Sequence, residues 1–374
     1  MSVKFALFQP TLLLDEKICR KNISNMVNKA ATNNVLFRPH FKTHQSIEIG
    51  EWFRELGITA ITVSSIKMAT FFAEHGWKDI TVAIPANSLE KDRINRLAKN
   101  INLNLITADI DGTKKLASIL EYPVNFWIKI DVGYHRTGVL YDDYNVISSI
   151  LEVVSKNKNL NFCGFLTHAG QSYHCRDKSE IIKVHNESTT ILLDLKKKYI
   201  SQFPHLKISV GDTPTCTVAD DFTMVDEIRP GNFVFYDIMQ VQISACEKKD
   251  IAVAIACPVV AKHSDRNEII VIGGGIHFSK DFIERSDGNK SFGDLVVLDE
   301  NGWSAPIEGC FMSKLSQEHG TIFVSDEVFH QIEVGDIVGI LPVHSCMTAN
   351  LMGGYTTLSG KKLDYFDIRK EYYV

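Results

Sequence analysis

Eight strand-like apolar runs alternate with helical patterns between residues 35 and 234, and this rhythm restricts the fold more than any other feature of the chain. The runs are Val35–Phe41, Ala60–Val63, Ile80–Ile84, Leu103–Ile106, Val124–Ile130, Phe162–Leu166, Leu206–Val210 and Glu227–Val234. Between them the apolar period lengthens to that of a helix at Ser46–Leu56, Lys67–His75, Leu89–Lys99, Gly112–Leu120, Tyr144–Lys156 and Ser179–Tyr199, with room for only a short helix at Pro214–Asp220. Such alternation predicts an α/β fold in which parallel strands close into a (β/α)8 barrel of the TIM type. An open doubly wound sheet is the alternative, weakened because no GxGxxG opens a helix after the first strand. Residues 1–14 read as a strand segment, and Asp15 to Thr32 as a helix with Ile18, Ile23, Met26, Val27 and Ala30 on its apolar face. After Ile238 the rhythm changes. Ile251–Val260, Glu268–Ile272, Leu295–Leu298, Thr321–Val324 and Asp336–Leu341 are strand-like and joined by Gly, Asp and Asn turns, which predicts a mostly antiparallel β domain. The expected division is therefore a barrel over 15–238 and a β domain from 1–14 and 239–374.

A barrel makes a checkable demand, that functional groups gather past the C-terminal ends of its strands. The first strand runs into Arg38-Pro39-His40-Phe41-Lys42-Thr43-His44, a lysine between two imidazoles. Neighbouring imidazoles can lower an ammonium pKa and make such a lysine a nucleophile or Schiff-base former. The other reading is a solvated lysine after an edge strand. The fifth strand leads into Asp131-Val132-Gly133-Tyr134-His135-Arg136, and the sixth into Thr167-His168-Ala169-Gly170-Gln171-Ser172-Tyr173. The seventh gives Gly211-Asp212-Thr213-Pro214-Thr215, and the eighth carries Arg229-Pro230-Gly231-Asn232. Gly211 to Thr215 is a small turn entering a helix, where free N–H groups and threonine hydroxyls suit a phosphate, although an ordinary Gly-Asp turn reads the same. Gly273-Gly274-Gly275 follows a strand with no helical pattern behind it and reads as a turn. Reactive lysine and phosphate seat together point to pyridoxal phosphate, with Arg136 on the ring's phenolate oxygen, Tyr173 against the ring, and Arg229 at the pyridine nitrogen or the phosphate. Near the C-terminus, Val343-His344-Ser345-Cys346 places an imidazole and a thiol two residues apart, on one side if the segment is extended. That donor set suits zinc, or else a buried histidine beside a core cysteine.

The remaining composition narrows the classes. A net charge of −5 and the lack of a basic stripe with interleaved aromatics argue against nucleic acid as a partner. No window approaches the ~20 apolar residues of a membrane span. The Phe5-Ala6-Leu7-Phe8 run lacks a signal peptide's charged start and cleavage site. The eight cysteines have no paired spacing, so reduced thiols in a cytoplasmic setting are expected.

Together these motifs resemble the D-serine dehydratase and D-threonine aldolase family, pyridoxal-phosphate enzymes with an alanine-racemase-like barrel, and the likeness spans nearly the whole chain. Arg38 to His44 is similar to the family's Schiff-base segment, which implies that Lys42 carries the cofactor. His168-Ala169-Gly170-Gln171-Ser172-Tyr173 resembles the dehydratase motif His-Ala-Gly-His-Ser-Tyr, implying catalytic roles for His168 and Gln171. Gly211, Thr213, Arg229, Gly231 and Asn232 match its cofactor-binding segments. His344 and Cys346 look like the metal pair of the zinc-dependent dehydratases, where the aldolase branch has aspartate in place of the cysteine. The resemblance implies a metal-assisted lyase acting on a small D-amino acid, D-serine dehydration to pyruvate and ammonia foremost. D-threonine-aldolase-type cleavage to glycine and an aldehyde, or racemisation, are its alternatives. It also implies a homodimer with the site at the subunit interface. Two positions depart from the pattern: Gln171 stands for a histidine and Asp212 for a glycine, the latter tolerable near a phosphate if its carboxylate turns outward.

Overall fold

The computed structural model describes residues 7–373, so the start of the expected N-terminal strand segment, and Phe5 and Ala6, lie outside the described residues. The chain divides into two compact units. One comprises Asn25–Lys42, Ile49–Gly231 and the residues from Phe366 on; the other comprises the residues up to Ser24, Thr43–Glu48 and Asn232–Tyr365.

The first unit is the parallel barrel. Its strands are Leu36–Phe37, Ala60–Val63, Asp79–Pro85, Asn102–Thr107, Val124–Asp131, Leu160–Leu166, Lys207–Val210 and Glu227–Ile228, each paired with its chain neighbours. The first strand pairs with the eighth (Phe37 opposite Ile228), and a parallel bridge between His40 and Thr62 closes the ring onto the second. The first and eighth strands are shorter than their apolar runs. Pro39 and Pro230 sit in those runs, and proline has no N–H to give a ladder. Asp226 also accepts from Ile208 N, which holds the entry to the eighth strand. Helices begin where short polar side chains can cap them. Ser65, Asp109, Asp143, Asp177 and Asp212 each accept a backbone N–H from the first turn, and each such cap contributes about 1 kcal/mol. Phe41, Phe53, Phe72 and Trp77 pack behind the first strand, with the Phe41 ring 5.0–5.1 Å from the other three centroids.

The inside of this barrel is unusual. Bulky aliphatic layers commonly fill such a cylinder, whereas here an ionic chain runs through it. Arg38 Nε donates to Glu227 at 2.7 Å, and the same guanidinium bonds Asp79. Ser209 Oγ donates to Glu227 at 2.6 Å and accepts from Arg229 Nε at 2.6 Å. Asn104 joins by donating to Asp79 at 2.9 Å while accepting from Trp127 Nε1 at 3.3 Å. Burial disfavours the charge on Arg38, but Glu227 and Asp79 outweigh it and keep the group protonated.

The second unit is mostly antiparallel. Glu268–Ile272, His319–Phe323, Phe311–Leu315, Gly293–Val296, Ile337–Pro342 and Val253–His263 pair in that order, and the last pairs back onto the first, which closes a six-stranded ring. Closure removes the unpaired edges that invite association. Thr11–Leu14 adds to Val253–Ala256 in antiparallel register and to Tyr355–Thr357 in parallel. Gly273 to Gly275 is a turn that continues into a four-residue helix, Gly275–Phe278. Among the described residues no helix is long and apolar enough to cross a membrane.

Candidate functional site

In the barrel unit, the polar residues expected on one rim do follow the C-terminal ends of the strands. The Lys42 backbone N–H donates to His40 Nδ1 at 3.4 Å, while the lysine side chain is exposed. After the fifth strand, Asp131 accepts from Gly133 N at 2.9 Å and His135 N at 3.0 Å, folding the loop that presents Arg136. Gly138, at φ 135°, must be glycine, because a Cβ there would meet Asp131 N at 2.7 Å. Arg136 lies over the Tyr134 ring at 5.1 Å, and Gly170 makes room for that ring, since a Cβ would meet it at 2.4 Å.

His168 donates from Nδ1 to Gly211 O at 2.6 Å, so in the neutral ring Nε2 carries the lone pair. Loss of hydration pulls its pKa down to about 3; the Gly211 bond opposes this, and the charges of Arg136, Lys42 and Arg229 add to it. The imidazole is therefore neutral near pH 7. Gln171 donates Nε2 to Val132 O at 3.1 Å, and its Oε1 is buried with no partner. Tyr173 OH accepts from Thr213 N at 3.3 Å, and Thr213 Oγ1 is likewise buried without a partner. A buried hydroxyl left unpaired is costly unless a ligand completes it, and a phosphate oxygen would. Gly211 lets the chain press on Arg229, where a Cβ would come within 2.7 Å of the Arg229 Cβ. Arg229 is buried, donates to Ser209 Oγ and Thr167 O, and has its pKa lowered to about 10 by burial, against the pull of Glu227. Glu227 Oε1 stands 3.7 Å from Arg229 Nε.

Asp212 departs from expectation. Its carboxylate is 3% exposed and turned inward, accepting from Ser172 Oγ at 2.8 Å, Thr215 N at 2.9 Å and Thr215 Oγ1 at 2.8 Å. Capping the helix satisfies it, while burial raises its pKa to about 6 despite those bonds. Sequence reasoning also passed over Lys129, 5% exposed, whose pKa burial and the charges of Arg136 and Arg229 lower to about 8. A lysine inside the apolar run Phe126-Trp127-Ile128 was the available signal.

In the other unit, His344 and Cys346 are not on an extended segment. The strand ends at Pro342, His344 is the N-cap of the helix Ser345–Met352, and Cys346 lies in its first turn. Their side chains nevertheless meet. Burial pulls the His344 ring down, but bonds to Asp281 and Cys346, with the charges of Cys346 and Asp237, raise its pKa to about 10. Nδ1 lies 2.7 Å from Asp281 Oδ2. Around the sulfur, Thr43 Oγ1 lies at 3.2 Å and Asn232 Nδ2 donates at 3.5 Å; Asn232 also donates to Ser345 Oγ at 3.0 Å and to Asp237 at 2.7 Å. Among the described residues no group of three or more His, Cys, Asp or Glu could enclose a metal ion. Imidazole and sulfur together still suit a divalent ion that keeps open positions, as a catalytic rather than a structural metal does.

His44, in the same unit, is 1% exposed, accepts from Ser46 N at 3.1 Å, and has its pKa lowered to about 3 by burial. As pH falls below the ordinary value near 6.5, the unfolded chain takes a proton that the folded ring refuses until about 3. Stability is therefore complete above ~6.5 and drains on acidification, at up to about 1.4 kcal/mol per pH unit for this group. Unfolding free energies of His44→Gln between pH 4 and 6 are expected to fall less steeply than wild type by about that amount; parallel slopes would contradict the assignment.

The barrel, its strand-end cluster and the appended antiparallel ring define a two-domain barrel protein of the α/β class. The chain belongs to the alanine racemase N-terminal domain family, whose model matches residues 14–238; the model of a putative serine dehydratase domain matches 252–358. It is 28% identical to the D-serine dehydratase of Dictyostelium discoideum, covering 94% of this chain and 93% of that one. It is also 28% identical to the D-threo-3-hydroxyaspartate dehydratase of Delftia sp. (strain HT23), covering 94% of each. The solved structure of that enzyme from Delftia sp. HT23 matches with a TM-score of 0.89 at 25% identity, over 96% of this chain and 98% of that one.

Proposed function

We propose that this chain is a pyridoxal-phosphate-dependent, metal-assisted D-amino acid lyase that dehydrates D-serine to pyruvate and ammonia. The observation that carries it is the meeting of His344 with Cys346, sulfur where the aldolase branch resembled by the sequence has a carboxylate. Pyridoxal phosphate, joined to Lys42, supplies an electron sink for the bond broken at the substrate's Cα. Thr213 Oγ1 with its unspent hydrogen bond, the turn at Gly211, and Gly231 and Asn232 after the eighth strand are the residues to hold its phosphate. Arg136, Tyr173 and Arg229, the last fixed by Ser209, are the residues that would hold its ring. The Lys42 amine would also be the base for the Cα proton. His168, neutral and oriented by Gly211 O, and Gln171, held by Val132 O, place and shield the substrate. His344 and Cys346 would hold a divalent ion, zinc by the softness of the sulfur, and such an ion would supply Lewis acidity to the β-hydroxyl. On this reading the expected barrel region, 15–238, serves the cofactor, and 1–14 with 239–374 carries the metal pair. A homodimer with the site at the subunit interface, as the resemblance implies, completes the reading. A cytoplasmic setting agrees with the eight cysteines, all of which are free.

Incubation with D-serine and D-threonine tests it. Pyruvate from the first and 2-oxobutyrate from the second are expected, both falling at least ~100-fold after chelation of the metal. Glycine and acetaldehyde from D-threonine, with no oxo acid from either, would overturn the dehydratase reading.

A further inference from the structure

Asp281 belongs to none of the motifs that the sequence offers, yet its Oδ2 lies 2.7 Å from Nδ1 of the His344 ring. Its segment is built to bring it there. Ser279 ends the short helix Gly275–Phe278 at φ 73°, a conformation that non-glycine residues seldom take, and its hydroxyl accepts the Asp281 backbone N–H at 3.1 Å. Thr348 Oγ1, two residues beyond Cys346, donates to Phe278 O at 3.3 Å and ties the helix Ser345–Met352 to the same segment. The Asp281 side chain is 43% exposed, and an ion pair so exposed adds little to stability. Its placement has to be explained by what it does to the ring.

We propose that Asp281 is a positioning residue for the metal: by accepting the Nδ1–H hydrogen bond of His344 it fixes the tautomer and turns the other ring nitrogen toward the ion shared with Cys346. This rests on the metal reading of His344 and Cys346 given above. A carboxylate on the far nitrogen of a ligating histidine orients the ring and raises its basicity, and removing such a partner commonly weakens metal binding 10- to 100-fold. Asparagine at 281 accepts the same hydrogen bond without the charge; alanine removes both.

The test is zinc affinity by competition with a chromogenic chelator, on the cofactor-loaded protein and its variants Asp281→Asn, Asp281→Ala, Asp281→Glu and His344→Ala. Zinc binding is expected to weaken about 10-fold in Asp281→Asn and about 100-fold in Asp281→Ala, with partial recovery in Asp281→Glu. The visible absorbance of the bound cofactor and the unfolding midpoint should stay at wild-type values in all three. Zinc lost in His344→Ala but held at wild-type affinity in Asp281→Ala overturns the role of Asp281 alone. Zinc held at wild-type affinity in His344→Ala overturns the metal reading and this inference with it.

Discussion

Lys42→Ala is expected to lose the visible absorbance of the lysine-bound cofactor and at least ~1,000-fold of D-serine turnover, since it removes both the covalent tether and the base for the Cα proton. Little else should change. The Lys42 side chain is exposed, and the barrel ladder at this point runs through the backbone of Phe41 and His40. Exposed side chains of this kind alter stability by about 0.5 kcal/mol or less. An unfolding midpoint near wild type together with a vanished spectrum would therefore locate the defect at the amine. A wild-type spectrum in the variant would refute the assignment of the cofactor to this residue.

Glu227→Ala has the largest effect expected on stability. Glu227 is 2% exposed and accepts from Arg38 Nε at 2.7 Å and Ser209 Oγ at 2.6 Å, with Arg229 Nε 3.7 Å away. Removing it leaves two buried guanidiniums with one shared carboxylate fewer. Breaking a buried pair from one side costs about 3–5 kcal/mol, because the stranded charge has lost both water and partner. Chemical unfolding should show a loss of that size for Glu227→Ala and a smaller one for Glu227→Gln, which keeps a hydrogen-bond acceptor. A change under about 1 kcal/mol in the alanine variant would mean that water, not Glu227, balances the charge on Arg38.

How much of this was legible in the sequence follows from the range of the interactions. The eight barrel strands and the helices between them repeat on local periods, so the rhythm exposes them; Glu268–Ile272 in the β unit is read residue for residue. Errors fall where a distant partner decides. Phe311–Leu315 is a strand only because Gly293–Val296 and His319–Phe323 flank it, and its Ser313 and Lys314 blur the apolar alternation. The helix Ser345–Met352 has weak patterning and is defined by its ends, His344 at the N-cap and Gly353 at φ 64° after the last turn. The rim residues were legible because each follows a strand. Arg38, Asp79 and Glu227 were not, because each looks like a surface charge until the barrel closes over residues 189 apart in sequence. Asp281 has no local signature at all, and Asp212 misled because its carboxylate meets Ser172, 40 residues upstream.

The barrel holds a rival to Lys42. Lys129 is 5% exposed with a pKa lowered to about 8, closer to the neutral amine that condenses with an aldehyde. Borohydride reduction of the loaded protein followed by peptide mass mapping distinguishes the two, because it fixes the cofactor on whichever amine carries it. The pyridoxyl group is predicted on the peptide containing Lys42; finding it on Lys129, or on no lysine, would contradict the account.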